Sequence, residues 1–162
     1  MQNNTTQLTL AKAPTMKTQM LIRKSAREVF EAFTDPLITT KFWFTKSSGA
    51  LKPGAEVTWE WEMYKLSIKV KVKEIEQDKR IVIEWNADRP TTVAWRFSPQ
   101  DDDTTFVTIT ESGFAGSGDK VVTHMLDSMG GFSFLLAGAK AYLEHGIALN
   151  MVADHAPTGV SE

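Results

Sequence analysis

The sequence predicts an α+β domain in which a strongly curved antiparallel sheet wraps one long C-terminal helix, with two short helices after the first strand. Three observations carry this. From Gly118 to about Gly146 the larger apolar residues, Val121, Met125, Met129, Phe132, Leu136, Ala139 and Leu143, recur in steps of three and four, which keeps one stripe on one helical face. From Ser47 to Glu111 the period is two instead, with runs such as Val57, Trp59 and Trp61 alternating with Thr58, Glu60 and Glu62. Strands are thus grouped apart from helices, and a sheet packed against one long helix is the economical layered solution.

Residues 1–14 are polar and without periodicity, and are expected to form a loose tail, as are residues 158–162; the domain is expected over 15–157. Thr15 to Arg23 reads as the first strand, with Met16, Thr18, Met20 and Ile22 on one parity. Ser25 can cap a helix over Ala26–Thr34, with Glu28 completing a capping box and Val29, Phe30 and Phe33 facing inward. Asp35-Pro36 breaks that helix and opens a second short one running to about Phe42.

Leu51-Lys52-Pro53-Gly54 is a turn into a hairpin. A reversal at Met63-Tyr64 sets Trp61 opposite Leu66, Trp59 opposite Ile68 and Val57 opposite Val70, while Glu56 meets Lys71 on the outer face. Ile75 falls out of step with Val72, which predicts a bulge near Lys73-Glu74. Further strands follow at Arg80–Asn86, Thr92–Pro99 and Thr104–Glu111. In the last helix Gly130, Gly131 and Gly138 each cost stability, so a kink at Gly130–Gly131 or close approach by a backbone or bound molecule is expected.

Composition limits the function. With 162 residues the chain is long enough for one well-buried core. Cysteine is absent, which excludes disulfides, thiol nucleophiles and thiolate metal sites and fits a cytoplasmic setting. The 18 basic and 20 acidic residues leave a net charge of -2, so no nucleic-acid partner is expected. No apolar run reaches the length of a membrane span, so no membrane partner is expected either. The row Lys69, Lys71 and Lys73 is read as a solvated convex face rather than a phosphate stripe.

Five Trp and nine Phe imply a core, or a pocket, rich in rings. Buried indoles need N–H partners, so some of Trp43, Trp59, Trp61, Trp85 and Trp95 are expected at the edge of a ligand space. The expected lining of that space adds Phe97, Glu111, Met125, Met129, Phe132 and Leu136. Glu111 lies on the inward parity with Val107 and Ile109, beside Thr91. Either it faces an apolar cavity, where a carboxylate can bind a ligand or act as acid or base, or the strand has ended and it points to water. His124, His145 and His155 form no metal-ligand spacing, and no phosphate-binding loop is present, so no metal, cofactor or catalytic constellation is expected.

Val29-Phe30-Glu31-Ala32-Phe33-Thr34-Asp35-Pro36 followed by Phe42-Trp43 resembles the opening signature of the START-like, or Bet v 1-like, helix-grip superfamily. Leu51-Lys52-Pro53-Gly54, Val72-Lys73-Glu74-Ile75, Thr105 to Phe114 and Leu143-Glu144-His145-Gly146 are similar to the branch named after the activator of Hsp90 ATPase. Gly131-Phe132 departs from the Gly-Trp common there, losing an indole N–H. The resemblance implies a helix-grip fold with a cavity between sheet and long helix, and for that branch a stress-response setting. It leaves three readings open: a non-catalytic binder of a small hydrophobic or aromatic molecule, an Hsp90-type co-chaperone contact, or a cyclase- or hydrolase-like enzyme using Glu111 or His124.

Overall fold

The computed structural model describes residues 6–157. The C-terminal tail expected over 158–162, and the first five residues of the N-terminal one, lie outside the described residues. The strands are β1 (Met16–Ile22), β2 (Lys46–Ser47), β3 (Glu56–Trp61), β4 (Leu66–Glu76), β5 (Arg80–Trp85), β6 (Thr91–Asp101) and β7 (Thr104–Ser112). They form one seven-stranded antiparallel sheet in the order β1-β7-β6-β5-β4-β3-β2. The helices are α1 (Ala26–Thr34), α2 (Pro36–Thr39), the long α3 (Gly118–His145) and a short α4 (Met151–Asp154). This is the helix-grip α+β architecture.

Local chemistry explains the boundaries. Ser25 and Glu28 exchange hydrogen bonds in a capping box at the start of α1. Asp35 closes α1 and caps α2, accepting from the Leu37 N–H at 2.9 Å. Regular helix ends at Thr39, but hydrogen-bonded turns continue to Trp43. The hairpin pairs Trp61 with Leu66, Trp59 with Ile68 and Val57 with Val70, the register that the two-faced pattern demands. Its turn lacks glycine because a 3-10 turn over Glu62–Tyr64 leaves only Lys65 in the left-handed region, at φ 49°. The bulge falls between Val72 and Glu74.

The helix α3 ends on Gly146, whose φ of 67° suits glycine. It is tied to β1 by Lys140 Nζ, which donates to the Leu21 carbonyl at 2.8 Å, and by the Thr18 and Ser133 hydroxyls 3.0 Å apart. Val121, Phe132, Leu135, Leu136 and Ala139 are its buried apolar residues, packed over Trp59, Trp95, Val70, Ile83, Val93 and Val107. Met129 departs from the expected stripe: it is 40% exposed. Taking about 100° per residue, it lies roughly 80° round the helix from Val121 and Ala139, at the edge of the buried face. Met125 and Leu143 are half-buried against the core.

Three further features were not anticipated. β2 adds a sheet edge, α4 hooks back so that the Tyr64 hydroxyl donates to the Val152 carbonyl, and Leu10 of the leading segment packs on the core. Gly118 is required where that segment crosses: a Cβ there would lie 2.1 Å from the Leu8 carbonyl oxygen.

Candidate functional site

At one end of the molecule the first half of α3 stands off the sheet. The space is a pocket of about 260 Å³ lined by Trp43, Trp85, Asn86, Glu111, His124, Asp127, Ser128, Gly131 and Phe132. Trp43 enters from the turns after α2, Trp85 and Asn86 from the end of β5, and Glu111 from β7. The remaining side chains come from α3.

Three rings make one wall. The Trp43 and Phe132 centroids are 6.0 Å apart, and Trp85 lies 5.7 Å from Phe132. Behind them the cluster is solid: Trp43 touches Trp59 at 4.8 Å, Trp61 at 5.8 Å and Trp95 at 6.0 Å. Phe44 stacks on Trp59, also at 4.8 Å. These edge and tilted contacts hold the wall rings in place.

The floor is polar. Glu111 faces inward, paired with Val93 and Met16 in the ladder, and is 1% exposed. Its Oε1 accepts the Trp85 indole N–H at 3.0 Å and the Thr91 hydroxyl at 2.5 Å, and the same indole N–H is shared with Thr91 Oγ1 at 3.0 Å. Its Oε2 accepts the Ser128 hydroxyl from α3. A buried carboxylate is tolerated only when such donors replace its water. This one also joins helix to sheet at the point where apolar packing stops. Asp127 and His124 sit at the rim, and His124 presents an edge to Phe114 at 4.9 Å.

Of the residues expected to line a ligand space, Trp43, Trp85, Glu111 and Phe132 come together here. Trp59, Trp61, Trp95, Phe97 and Leu136 are instead core residues, and Phe97 packs on Phe30 and Phe33 at 5.6 and 5.9 Å. Met125 is outside the lining, and Met129 faces outward. Trp85 meets the demand for an indole partner through Glu111, whereas the buried Trp95 N–H has none among the described residues.

Asn86, Asp127 and Ser128 were missed. Ser128 had a signal: by the same helical count it falls within roughly 20° of Val121 and Ala139, a hydroxyl in the middle of an apolar stripe. The helix runs unbroken through Gly130 and Gly131, and a Cβ at either would meet nothing within 4 Å. Gly138 does mark a close approach, since a Cβ there would lie 3.3 Å from the Phe42 carbonyl oxygen. Among the described residues no group of three His, Asp or Glu side chains could hold a metal ion, and no helix is long and apolar enough to cross a membrane.

Comparison with known proteins adds a lineage. Residues 23–143 match the family described as Activator of Hsp90 ATPase homolog 1-like protein. Among solved structures, a protein from Staphylococcus saprophyticus superposes with a TM-score of 0.74 at 29% identity, covering 84% of this chain and 96% of that one. The Aha1 dimer from Colwellia psychrerythraea gives 0.71 at 20% identity, covering 82% of this chain and 98% of that one. DynU16, from the dynemicin biosynthetic locus, gives 0.68 at 19% identity; the match covers 83% of this chain but 48% of that one, so this chain spans about half its length. The last two likenesses speak to fold alone. No curated protein matches the chain.

Proposed function

This chain belongs to the Activator of Hsp90 ATPase homolog 1-like family, and from that premise we propose that it is a non-catalytic binding module for a small ligand with an aromatic or apolar body. The observation that carries the reading is the pocket between β5, β7 and the first half of α3, with a wall of rings and a fixed acceptor at its base. Its volume of about 260 Å³ exceeds the roughly 150 Å³ that suffices for benzene. There is room for one ring and a short chain.

Catalysis is the weaker reading because Glu111 is fixed in place by three side-chain donors. Both its oxygens accept hydrogen bonds from side chains that also build the wall. The acceptor capacity that is left, on Oε2, suits holding a donor in place rather than carrying a proton away. His124 is turned against Phe114 rather than hydrogen-bonded to a carboxylate or hydroxyl.

The test is a titration followed by tryptophan fluorescence and amide chemical shifts. Small aromatic ligands should perturb Trp85 and the amides of residues 124–132, without need of a metal and with weak salt dependence for neutral ligands. Gly131→Leu should occlude the mouth and abolish the response while the protein stays folded. Absence of any response across a broad set of ring compounds would overturn the reading.

A second reading has its own observation. Leu126 and Met129, 61% and 40% exposed, form an apolar spot on the outer side of α3. That spot favours a protein contact of the kind the family description names, with Hsp90 as the partner to try. Phe42 and Phe44 are buried and Tyr64 is held to Val152, so these rings add nothing to the spot. Pull-down with Hsp90, lost on Leu126→Glu, would support this reading, and binding indifferent to that change would remove it.

A further inference from the structure

The pocket carries a charge pattern that narrows its ligand. Resting on the binding reading above, we propose that it selects a small organic cation, a protonated amine carried on an aromatic body. The carboxylate side chains lining it are Glu111 and Asp127, and neither Lys nor Arg lines it. Among the described residues the ion pairs involve neither carboxylate. Glu111 is held by neutral donors only, an indole N–H and two hydroxyls. It is therefore met by dipoles and by no countercharge, and proteins normally pair a carboxylate this deeply buried.

A ligand cation supplies the missing countercharge. Oε1 already accepts twice, whereas Oε2 accepts once, from Ser128, and keeps acceptor capacity for an ammonium N–H. The rings point the same way. Trp43, Trp85 and Phe132 line the same space, and the negative potential of a ring face attracts a cation and repels an anion. Asn86, held in the left-handed region at φ 61° in the turn after β5, adds an amide at the edge. Arg89 and Lys120 lie in a neighbouring groove that shares His124 and Asp127.

The experiment uses the full chain and three probes of matched shape at pH 7: 2-phenylethylammonium, 2-phenylethanol and 3-phenylpropionate. Calorimetry and amide chemical shifts should give an affinity for the ammonium at least tenfold above the alcohol, with the carboxylate weakest. Raising salt should weaken the ammonium and leave the alcohol unchanged. Asp127→Asn, at an exposed rim position, should cut the ammonium-to-alcohol ratio several-fold, and Glu111→Gln should cut it further where that variant folds. Gly131→Leu should abolish binding of both. An alcohol that binds as well as the ammonium, or a carboxylate that binds best, overturns the cation inference and leaves the binding reading intact. An ammonium preference untouched by Asp127→Asn, or surviving Gly131→Leu, overturns it as well, because the site is then elsewhere. Silence from all three probes overturns both.

Discussion

The two halves of α3 share one apolar rhythm but meet the sheet differently. From Phe132 onward the helix is sealed, with Leu135, Leu136 and Ala139 at 0% exposure and Gly138 drawn against Phe42. Between the buried Val121 and Phe132 it is held off: Met129 faces outward, Gly130 and Gly131 have open space where a Cβ would be, and Ser128 reaches a buried carboxylate. One half is fixed by close packing and the other by hydrogen bonds around a pocket. The proposed ligand sits in the half where packing is incomplete, because there a buried polar group and empty volume meet under the helix.

The sharpest way to break that contrast is to cut the same kind of side chain from each half. Leu136→Ala removes a fully buried residue of the sealed half and should cost about 2–5 kcal/mol in denaturant titration. Met125→Ala, from the half-buried edge of the open half, should cost clearly less. Equal losses would show that the two halves are packed alike and that the pocket is no weaker point of the core.

Glycine gives a smaller and more discriminating test. At Gly131 a methyl group meets nothing, so Gly131→Ala should raise stability by roughly 0.5–1 kcal/mol through helix propensity alone. At Gly138 the same group would sit 3.3 Å from the Phe42 carbonyl oxygen and 3.4 Å from its Cβ, which uses up that gain. Melting curves should therefore separate the two variants, Gly131→Ala above wild type and Gly138→Ala at or below it. A stabilising Gly138→Ala would mean that the sealed half has slack.

How much of this was legible in the sequence depended on whether a feature had a period. The β3–β4 register could be read because both faces of the hairpin constrain it together, apolar pairs inside and Glu56 opposite Lys71 outside. Glu111 could be placed beside Thr91 because parity carries along β7 from Val107 and Ile109. β2, with 2 residues, and α4, with 4, are too short to show any period, and both are fixed by contacts distant in sequence. Met129 was assigned to the buried face because steps of four from Val121 and Met125 look regular, although each advances about 40° round the helix. The pocket itself was hardest to foresee. Which indoles line it depends on how far Trp43 reaches into the sheet, and Trp59 and Trp95 are covered because Trp43 lies across them.

The smallest expected effect concerns what clamps the sealed half to β1. Glu144 lies near the end of α3, with Lys140 Nζ 2.6 Å from its Oε2 and Arg23 3.7 Å from its Oε1. Burial pushes the Glu144 carboxyl up, but the hydrogen bond from Lys140, the Arg23 backbone N–H and the charges of both residues outweigh it and hold the carboxyl below its ordinary range. A carboxyl lowered on folding binds its proton more readily in the unfolded chain. It therefore adds stability above the unfolded value of about 4.3, and that contribution is lost as pH falls through the lower folded value. Glu144→Gln should accordingly lower the melting temperature at pH 7, and the gap to wild type should narrow on moving to pH 3. The effect should be modest because Arg23 is largely exposed and its share is screened by solvent. A gap that is constant from pH 7 to pH 3 would assign the loss to packing rather than charge, and the clamp would then belong with the close-packed contacts of Leu136 and Gly138 instead of standing as a polar fastening of its own.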